Sequence, residues 1–322
     1  MNTNTLRRSI LFLLVAVNSL IHAQRIDYVS TFRQLPSNEY LRIYYDNDFF
    51  TKTDYYYTQG ITFVYANPVL RKNPVNRILI KPGNADIEYG ISFNLFGYTP
   101  TSIKSDLILI GDRPFDANLA FNSFLAGSDT VRSQKLSTSL LLGVMGPAAL
   151  GREIQTTIHR WTGNDIPKGW QHQIRNDVIM SYEVNFEKKI AGDGNHFLLN
   201  ATGRLRAGTL YNNLSSGINW MIGWFDDPYS NQRTRKLSLY FFSQTRANLI
   251  GYDATMQGGL FNRKSPYTIA SSEIRRLTFQ ADAGIVINTG HLNFCYSQSY
   301  LTREFDMGQY HRWGGLSMGI GF

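Results

Sequence analysis

One cysteine, Cys295, occurs in 322 residues, so no internal disulfide framework is available. No stretch beyond the N-terminal segment reaches the roughly 18 apolar residues of a spanning helix, which excludes a helical membrane protein. Mean hydropathy is −0.24 although 43% of residues are hydrophobic, so the apolar residues are dispersed rather than gathered into runs. There is no Gly-x-Ser-x-Gly elbow and no convincing nucleophilic serine, which argues against a serine hydrolase. Linkers, low-complexity tracts and a second domain are missing as well.

Aromatic residues, by contrast, are abundant. They make up 14% of the chain, with 19 Tyr and 20 Phe. Many of the apolar residues alternate with polar ones. Ile87, Tyr89, Ile91, Phe93 and Leu95 alternate with Glu88, Gly90, Ser92 and Asn94. Val178, Met180, Tyr182, Val184 and Phe186 do the same, as do Phe197, Leu199, Ala201, Leu205 and Ala207. A period of two places one oily face and one polar face on each strand. Charge on the second face, at Glu183, Arg204 and Arg206, implies a polar lumen that inward side chains fill. Aromatic girdles at two membrane interfaces would use the surplus Tyr and Phe.

The expected fold is therefore all-β: a transmembrane antiparallel barrel of about 12 strands, with one short helix in an extracellular loop. The strands are expected at 40–48, 56–67, 87–98, 114–126, 132–145, 177–189, 195–209, 212–224, 236–250, 273–289, 291–303 and 311–322. The last ends on Leu316, Met318, Ile320 and Phe322 alternating with small residues, the form of strand that the bacterial barrel-assembly machinery receives. Residues 1–23 read as a signal peptide, with Arg7 and Arg8, an apolar core from Ile10 to Val17, and Ala23 before the cleavage point. That leaves 24–322 as the barrel and places it in the bacterial outer membrane. The net charge of +8 suits anionic lipid head groups; nucleic acid is a poor partner for a barrel.

Strand parity assigns the sides. With both ends periplasmic, the connections 49–55, 99–113, 146–176, 251–272 and 304–310 face outward. The turns 191–195 and 288–290 face the periplasm and are short. Two periplasmic connections, 68–86 and 225–235, are longer than such turns usually are. Three polar clusters share the outer rim: Asp46-Asn47-Asp48 with Thr53-Asp54, Gly111-Asp112-Arg113-Pro114, and the long loop 146–176.

Within that loop, 150–161 changes period. Leu150, Ile154, Ile158 and Trp161 form an apolar stripe at helical spacing, and Arg152, Gln155 and His159 a polar one beside it. The helix is expected to rest its oily face on the barrel rim and hold His159 over the site. Imidazole makes His159 the candidate base, with His172 its rival. Asp46, Asn47, Asp48 and Asp54 offer hard oxygen ligands suited to Ca²⁺ or Mg²⁺. Alternation points Asp46 and Asp48 one way and Asn47 the other, and Asp48 at the strand end is the favoured ligand. Ester hydrolysis by water activated at His159, with a divalent cation polarising the carbonyl, fits these groups.

Three ordered blocks resemble the outer-membrane lipid A 3′-O-deacylases. The first is Asn47-Asp48, Thr53-Asp54 and Tyr57-Thr58-Gln59-Gly60. The second is Gly146-Pro147, Gln155, His159 and Gly169-Trp170-Gln171-His172-Gln173. The third is Asp112-Arg113-Pro114-Phe115. They span about residues 42–177. The resemblance implies removal of the 3′-linked acyloxyacyl group from lipid A in the outer leaflet. It implies His159 as base, Gln155, Asn47 and Thr58 in the site, and Asp48 near Ca²⁺ with Asp54 close by. Arg113 and Arg152 are then candidate contacts to lipopolysaccharide. The segment after Arg113-Pro114 reads Phe-Asp-Ala-Asn where the family has Tyr-Ala-Gly, and the family's site lysine has no clear counterpart. A phospholipase using the same groups and a non-enzymatic pore or binding barrel are the competing readings.

Overall fold

The computed structural model describes residues 29–35, 37–51, 55–83, 85–230 and 234–322. The expected signal peptide and Asp54 lie outside them. Twelve antiparallel strands close into a barrel, each paired with its neighbours in sequence and β1 with β12. They are β1 (Tyr40–Asn47), β2 (Tyr56–Ala66), β3 (Asp86–Thr99), β4 (Asp116–Asp129), β5 (Gln134–Met145) and β6 (Asp177–Gly192), followed by β7 (Phe197–Gly208), β8 (Tyr211–Trp224), β9 (Ser238–Asp253), β10 (Leu277–Asn288), β11 (Leu292–Leu301) and β12 (His311–Gly321). The strand count and order agree with the alternation, and the ends move by a few residues. Closure gives every strand two partners, so no edge is left for lipid to meet.

The two faces separate as period-two patterning requires. Ser92, Asn94, Arg204, Arg206 and Asp282 are buried in the lumen, while Phe121, Met180, Leu205 and Ile285 stand exposed on the outer wall. Cys295 is a buried lumen-side residue of β11. Arg204 Nε lies 3.7 Å from Glu183, one of several charge pairs that keep lumen cations compensated.

Both ends of the lumen are closed by chain. At the end expected to face the periplasm, residues 29–35 turn inside the barrel. Thr31 Oγ1 donates to Glu187 at 2.6 Å, the Phe32 ring stacks on Phe242 at 4.3 Å, and the Arg33 guanidinium lies 5.4 Å from the Tyr44 ring. The connection after β8 joins them: Tyr229 is buried, and its hydroxyl donates to Asn200 at 3.0 Å. That is why 225–235 is long for its side.

The other long connection on that side climbs the outer wall instead. Two 3-10 turns, Pro68–Lys72 and Pro74–Arg77, are capped by Asn67 and Asn73. Asn73 Nδ2 donates to Ser123 of β4, Thr138 Oγ1 of β5 donates to the Ile80 carbonyl, and the Ile80 N–H donates to the Tyr182 hydroxyl of β6.

At the opposite end, expected to face outward, Arg113 is 1% exposed and ion-paired with Glu304. It also donates to Thr255 Oγ1 at 2.6 Å and lies 3.9 Å from the Tyr98 ring centre. One arginine thus ties three loops together over the lumen.

Candidate active site on the outer wall

The site begins at the rim where β1 and β2 are joined, the rim expected to face outward. Alternation along β1 puts Asp46 in the lumen, almost fully buried, and Asn47 on the outer wall. Asn47 Oδ1 accepts the Phe49 N–H at 2.7 Å, which starts the 3-10 turn Asp48–Thr51. Asp48 has left the strand, so alternation no longer dictates its direction; it is 3% exposed. Asn47 Nδ2 donates to the Thr58 carbonyl at 2.7 Å and to the Tyr45 hydroxyl at 3.2 Å.

Thr58 is placed by an irregularity. The β2–β3 register shifts between Tyr57 and Gln59, leaving Thr58 as the extra residue of a bulge. A bulge re-aims side chains that strict alternation would fix. Here Tyr57 turns into the lumen against Tyr98 and Trp313, and Thr58 turns outward with Asn47.

The long loop supplies the facing element. Gly146, at φ 85°, ends β5 in a conformation that favours glycine, and its N–H donates to the Ala117 carbonyl at 2.8 Å. Leu150 in a left-handed conformation then leads into helix α1 (Gly151–Thr162). Gly151 lies directly on the wall: a Cβ there would overlap the Ala117 side chain and come within 2.8 Å of the Trp170 ring. Gln155, one turn later, is 2% exposed. Its Nε2 donates to Thr58 Oγ1 at 3.1 Å, and its Oε1 accepts from Trp170 Nε1 at 2.7 Å. Trp170 is buried against Phe115, with ring centres 5.0 Å apart. Trp170, Gln155, Thr58 and Asn47 therefore form one connected polar chain that pins helix to barrel.

His159 follows Gln155 by four residues, on the same side of α1. Its Nδ1 lies 2.5 Å from the Asp165 carbonyl oxygen. In the tautomer that donates Nδ1–H to that carbonyl, Nε2 carries the free lone pair, as a general base requires. The Asp165 carboxylate in turn binds Lys104 at 2.7 Å, and this hydrogen bond holds its carboxyl below the usual range. Lys104 and Asp165 were not picked out by sequence reasoning. A lone loop lysine has no periodicity, and a backbone carbonyl leaves no signature. The rival His172 is used elsewhere: its Nε2 lies 2.9 Å from the Asp106 carbonyl, which also accepts from Gln171, so it holds the loop before β4.

Two expectations change. The helix does not rest its oily face on the barrel. Gly151 and Gln155 face the wall, while Leu150 is 52% and Trp161 83% exposed. The smallest side chain permits the closest approach, and the amide finds partners there that apolar residues cannot use. Arg113 is not at hand for substrate, because its guanidinium is spent on Glu304, Thr255 and Tyr98 inside the barrel. Its cluster, 111–114, organises the lumen cap, so two of the three rim clusters meet at the site and the third does not. Arg152 is exposed on α1, two turns before His159 and on the same flank.

The oxygen donors near the end of β1 fit a hard divalent cation in kind: a carboxylate at Asp48, amide and hydroxyl oxygens at Asn47 and Thr58, and no thiol. Among the described residues there is no group of three or more His, Cys, Asp or Glu that could hold a metal ion. Backbone carbonyls and water would have to complete the shell around Asp48.

A closed antiparallel barrel with a polar lumen, and a polar side-chain cluster on its outer wall under a loop helix, defines a membrane protein of the outer-membrane type. Residues 9–322 match the family described as outer membrane protein LpxR, and the chain belongs to that family. Its home is accordingly the bacterial outer membrane. Among solved structures it is similar to LpxR from Salmonella typhimurium, at 19% identity and a TM-score of 0.73, covering 88% of this chain and all of that one. The translocator domain of the autotransporter NalP from Neisseria meningitidis aligns over 89% of this chain and 90% of its own, at 12% identity and a TM-score of 0.43. The β domain of the Bordetella autotransporter BrkA aligns over 88% and 98%, at 9% identity and a TM-score of 0.44. No curated protein sequence matches the chain.

Proposed function

We infer that this protein is a lipid A deacylase that hydrolyses the 3′-linked acyloxyacyl ester of lipopolysaccharide from the outer leaflet. Membership of the LpxR family supports the general reading. The observation that carries it in this chain is the contact of Gln155 with Thr58, which sets a histidine-bearing helix against the lipid-side wall at the extracellular rim. An ester drawn from the leaflet meets such a site without leaving the membrane.

In this reading His159 Nε2 takes a proton from water, and the hydroxide attacks the ester carbonyl. The Asp165 carbonyl fixes the imidazole and stabilises it as it becomes charged. As the tetrahedral intermediate collapses, the proton passes to the departing 3′-alkoxide. The products are the free acyloxyacyl acid and a 3′-hydroxyl. Gln155, hydrogen-bonded through both its amide nitrogen and its amide oxygen, acts as a positioning residue. Asn47 and Thr58 define the wall side of the site. Arg152 is available to anionic groups of the substrate. A Ca²⁺ ion held by Asp48, with Asp54 as a further ligand, would polarise the ester carbonyl and stabilise the oxyanion when bound. A conducting pore is disfavoured, because residues 29–35 and Arg113 close the two ends of the lumen.

Mass spectrometry tests this reading. Lipid A from cells expressing the chain should lose one acyloxyacyl unit, and His159→Ala or a chelator should abolish the loss while the barrel stays folded. Intact lipid A beside newly released lysophospholipid would replace this reading with a phospholipase. No change in either lipid would sink an enzymatic role.

A further inference from the structure

We propose that α1 is also a membrane anchor: the flank formed by Leu150, Ile154, Ile158 and Trp161 lies among the acyl chains of the outer leaflet and sets the depth of the site. The proposal goes beyond deacylation and holds whatever ester is cleaved. Its starting point is an apolar stripe that the barrel leaves uncovered. Trp161 is 83% and Leu150 52% exposed, and Ile154 and Ile158 are half-buried.

Three observations assign this flank to lipid. The first is direction. The helix touches β4 at Ala117 and then β2 at Thr58, so it runs across the wall from β4 toward β2. With Gly151 and Gln155 against the wall, Ile154, Ile158 and Trp161 fall on one flank and Arg152 and His159 on the other. The loop segments carrying Asp165 and Lys104 pack on the His159 flank, which leaves the apolar flank on the side away from those loops. The second is continuity. Farther along the strands that the helix crosses, the outer wall of β2–β4 presents Phe63, Ile91 and Phe121, between 38% and 63% exposed, the side of the barrel that meets hydrocarbon. The third is charge. Arg152, Arg160 and Lys168 are exposed on the other sides of the helix and just beyond it, a charge that suits the anionic phosphates of lipid head groups. A helix with one apolar flank and cations on its other sides has the pattern of an in-plane interfacial helix. Tryptophan at such a boundary keeps its ring in the apolar layer and its N–H in the wet one.

The test is site-selective quenching. The full-length barrel and its Trp161→Phe variant are reconstituted in vesicles of phosphatidylcholine and phosphatidylglycerol, with the phosphatidylcholine brominated either near the carbonyl or near the chain end. Subtracting the two emission spectra isolates Trp161 from the outer-wall Trp220 and Trp224. The difference spectrum should be blue-shifted, lose most of its intensity to bromine near the carbonyl, and resist acrylamide in the aqueous phase. Quenching by acrylamide with none by bromine would put the flank in water and overturn the proposal. Resistance to both would mean that protein covers it, either another loop or a second copy, and would overturn it equally.

Discussion

Replacing Gly151 by alanine should damage the site, although the intrinsic preference of the helix predicts the opposite. In an exposed helix, Gly→Ala stabilises by about 1 kcal/mol because glycine has more conformational freedom to lose. Gly151, however, is the point where α1 touches the barrel. An alanine Cβ would overlap the Ala117 side chain and come within 2.8 Å of Trp170. Ordinary carbon contacts are about 3.5–4.0 Å, so the helix must retreat by roughly 1 Å. That is enough to stretch the 3.1 Å Gln155–Thr58 bond beyond hydrogen-bonding distance. Buried polar atoms left unmet in this way cost about 1–3 kcal/mol each. His159 moves with the helix, and misplacement of about 1 Å can cost on the order of 100-fold in rate. The assay is lipid A turnover in a reconstituted membrane, beside hydrogen exchange of 151–162 against the wild type. Turnover should fall by roughly 10- to 100-fold and exchange should rise. An alanine variant with wild-type turnover and slower exchange would show that helix propensity governs the segment, and that the close approach does not position His159.

Three further outcomes follow from the same contacts. Trp170→Phe keeps most of the packing on Phe115 but removes the donor to Gln155 Oε1; turnover should drop while the barrel's unfolding midpoint barely changes, and an unaltered rate would remove Gln155 from the positioning role. Arg113→Ala leaves Glu304 buried without its partner and should destabilise by about 3–5 kcal/mol in denaturant titration, whereas replacing Arg113 by Met together with Glu304 by Leu should cost less; equal losses would refute the ion-pair account. The Asp165 carboxyl is held low by Lys104, so its contact contributes above the ordinary carboxylate pKa and is lost as pH falls through the depressed one. Hydrogen exchange of 163–168, corrected for its intrinsic pH dependence, should therefore stay flat from neutral pH to about pH 4 and rise below; opening that begins well above this would contradict the assignment.

The strands were legible because a barrel wall has water-like filling on one side and lipid on the other. Each strand must carry that difference at period two, whatever lies across from it. The largest shift is at the start of β10, expected from 273 and found at Leu277, after the loop that follows β9 and the turn Ala254–Gln257. The helix was legible from its period, and Asn47, Thr58, Gln155 and His159 from their spacing and from family likeness. The partner of each was not. A bulge at Thr58 depends on how β2 registers against β3, which strand composition does not encode.

The amino-acid sequence by itself determined the class of fold, the approximate number of strands, which residues face the lumen, and the presence of one amphipathic helix over the rim. These follow from local periodicity and from the requirement that every backbone polar group in lipid be paired. Only the tertiary structure decided which face of α1 meets the barrel, because that depends on where a glycine allows contact and where a buried amide finds partners. It also decided that Arg113 caps the lumen, that residues 29–35 fill the periplasmic end, and that the Asp165 carbonyl holds His159. Those contacts join residues far apart in the chain or use backbone atoms, and neither leaves a period to read.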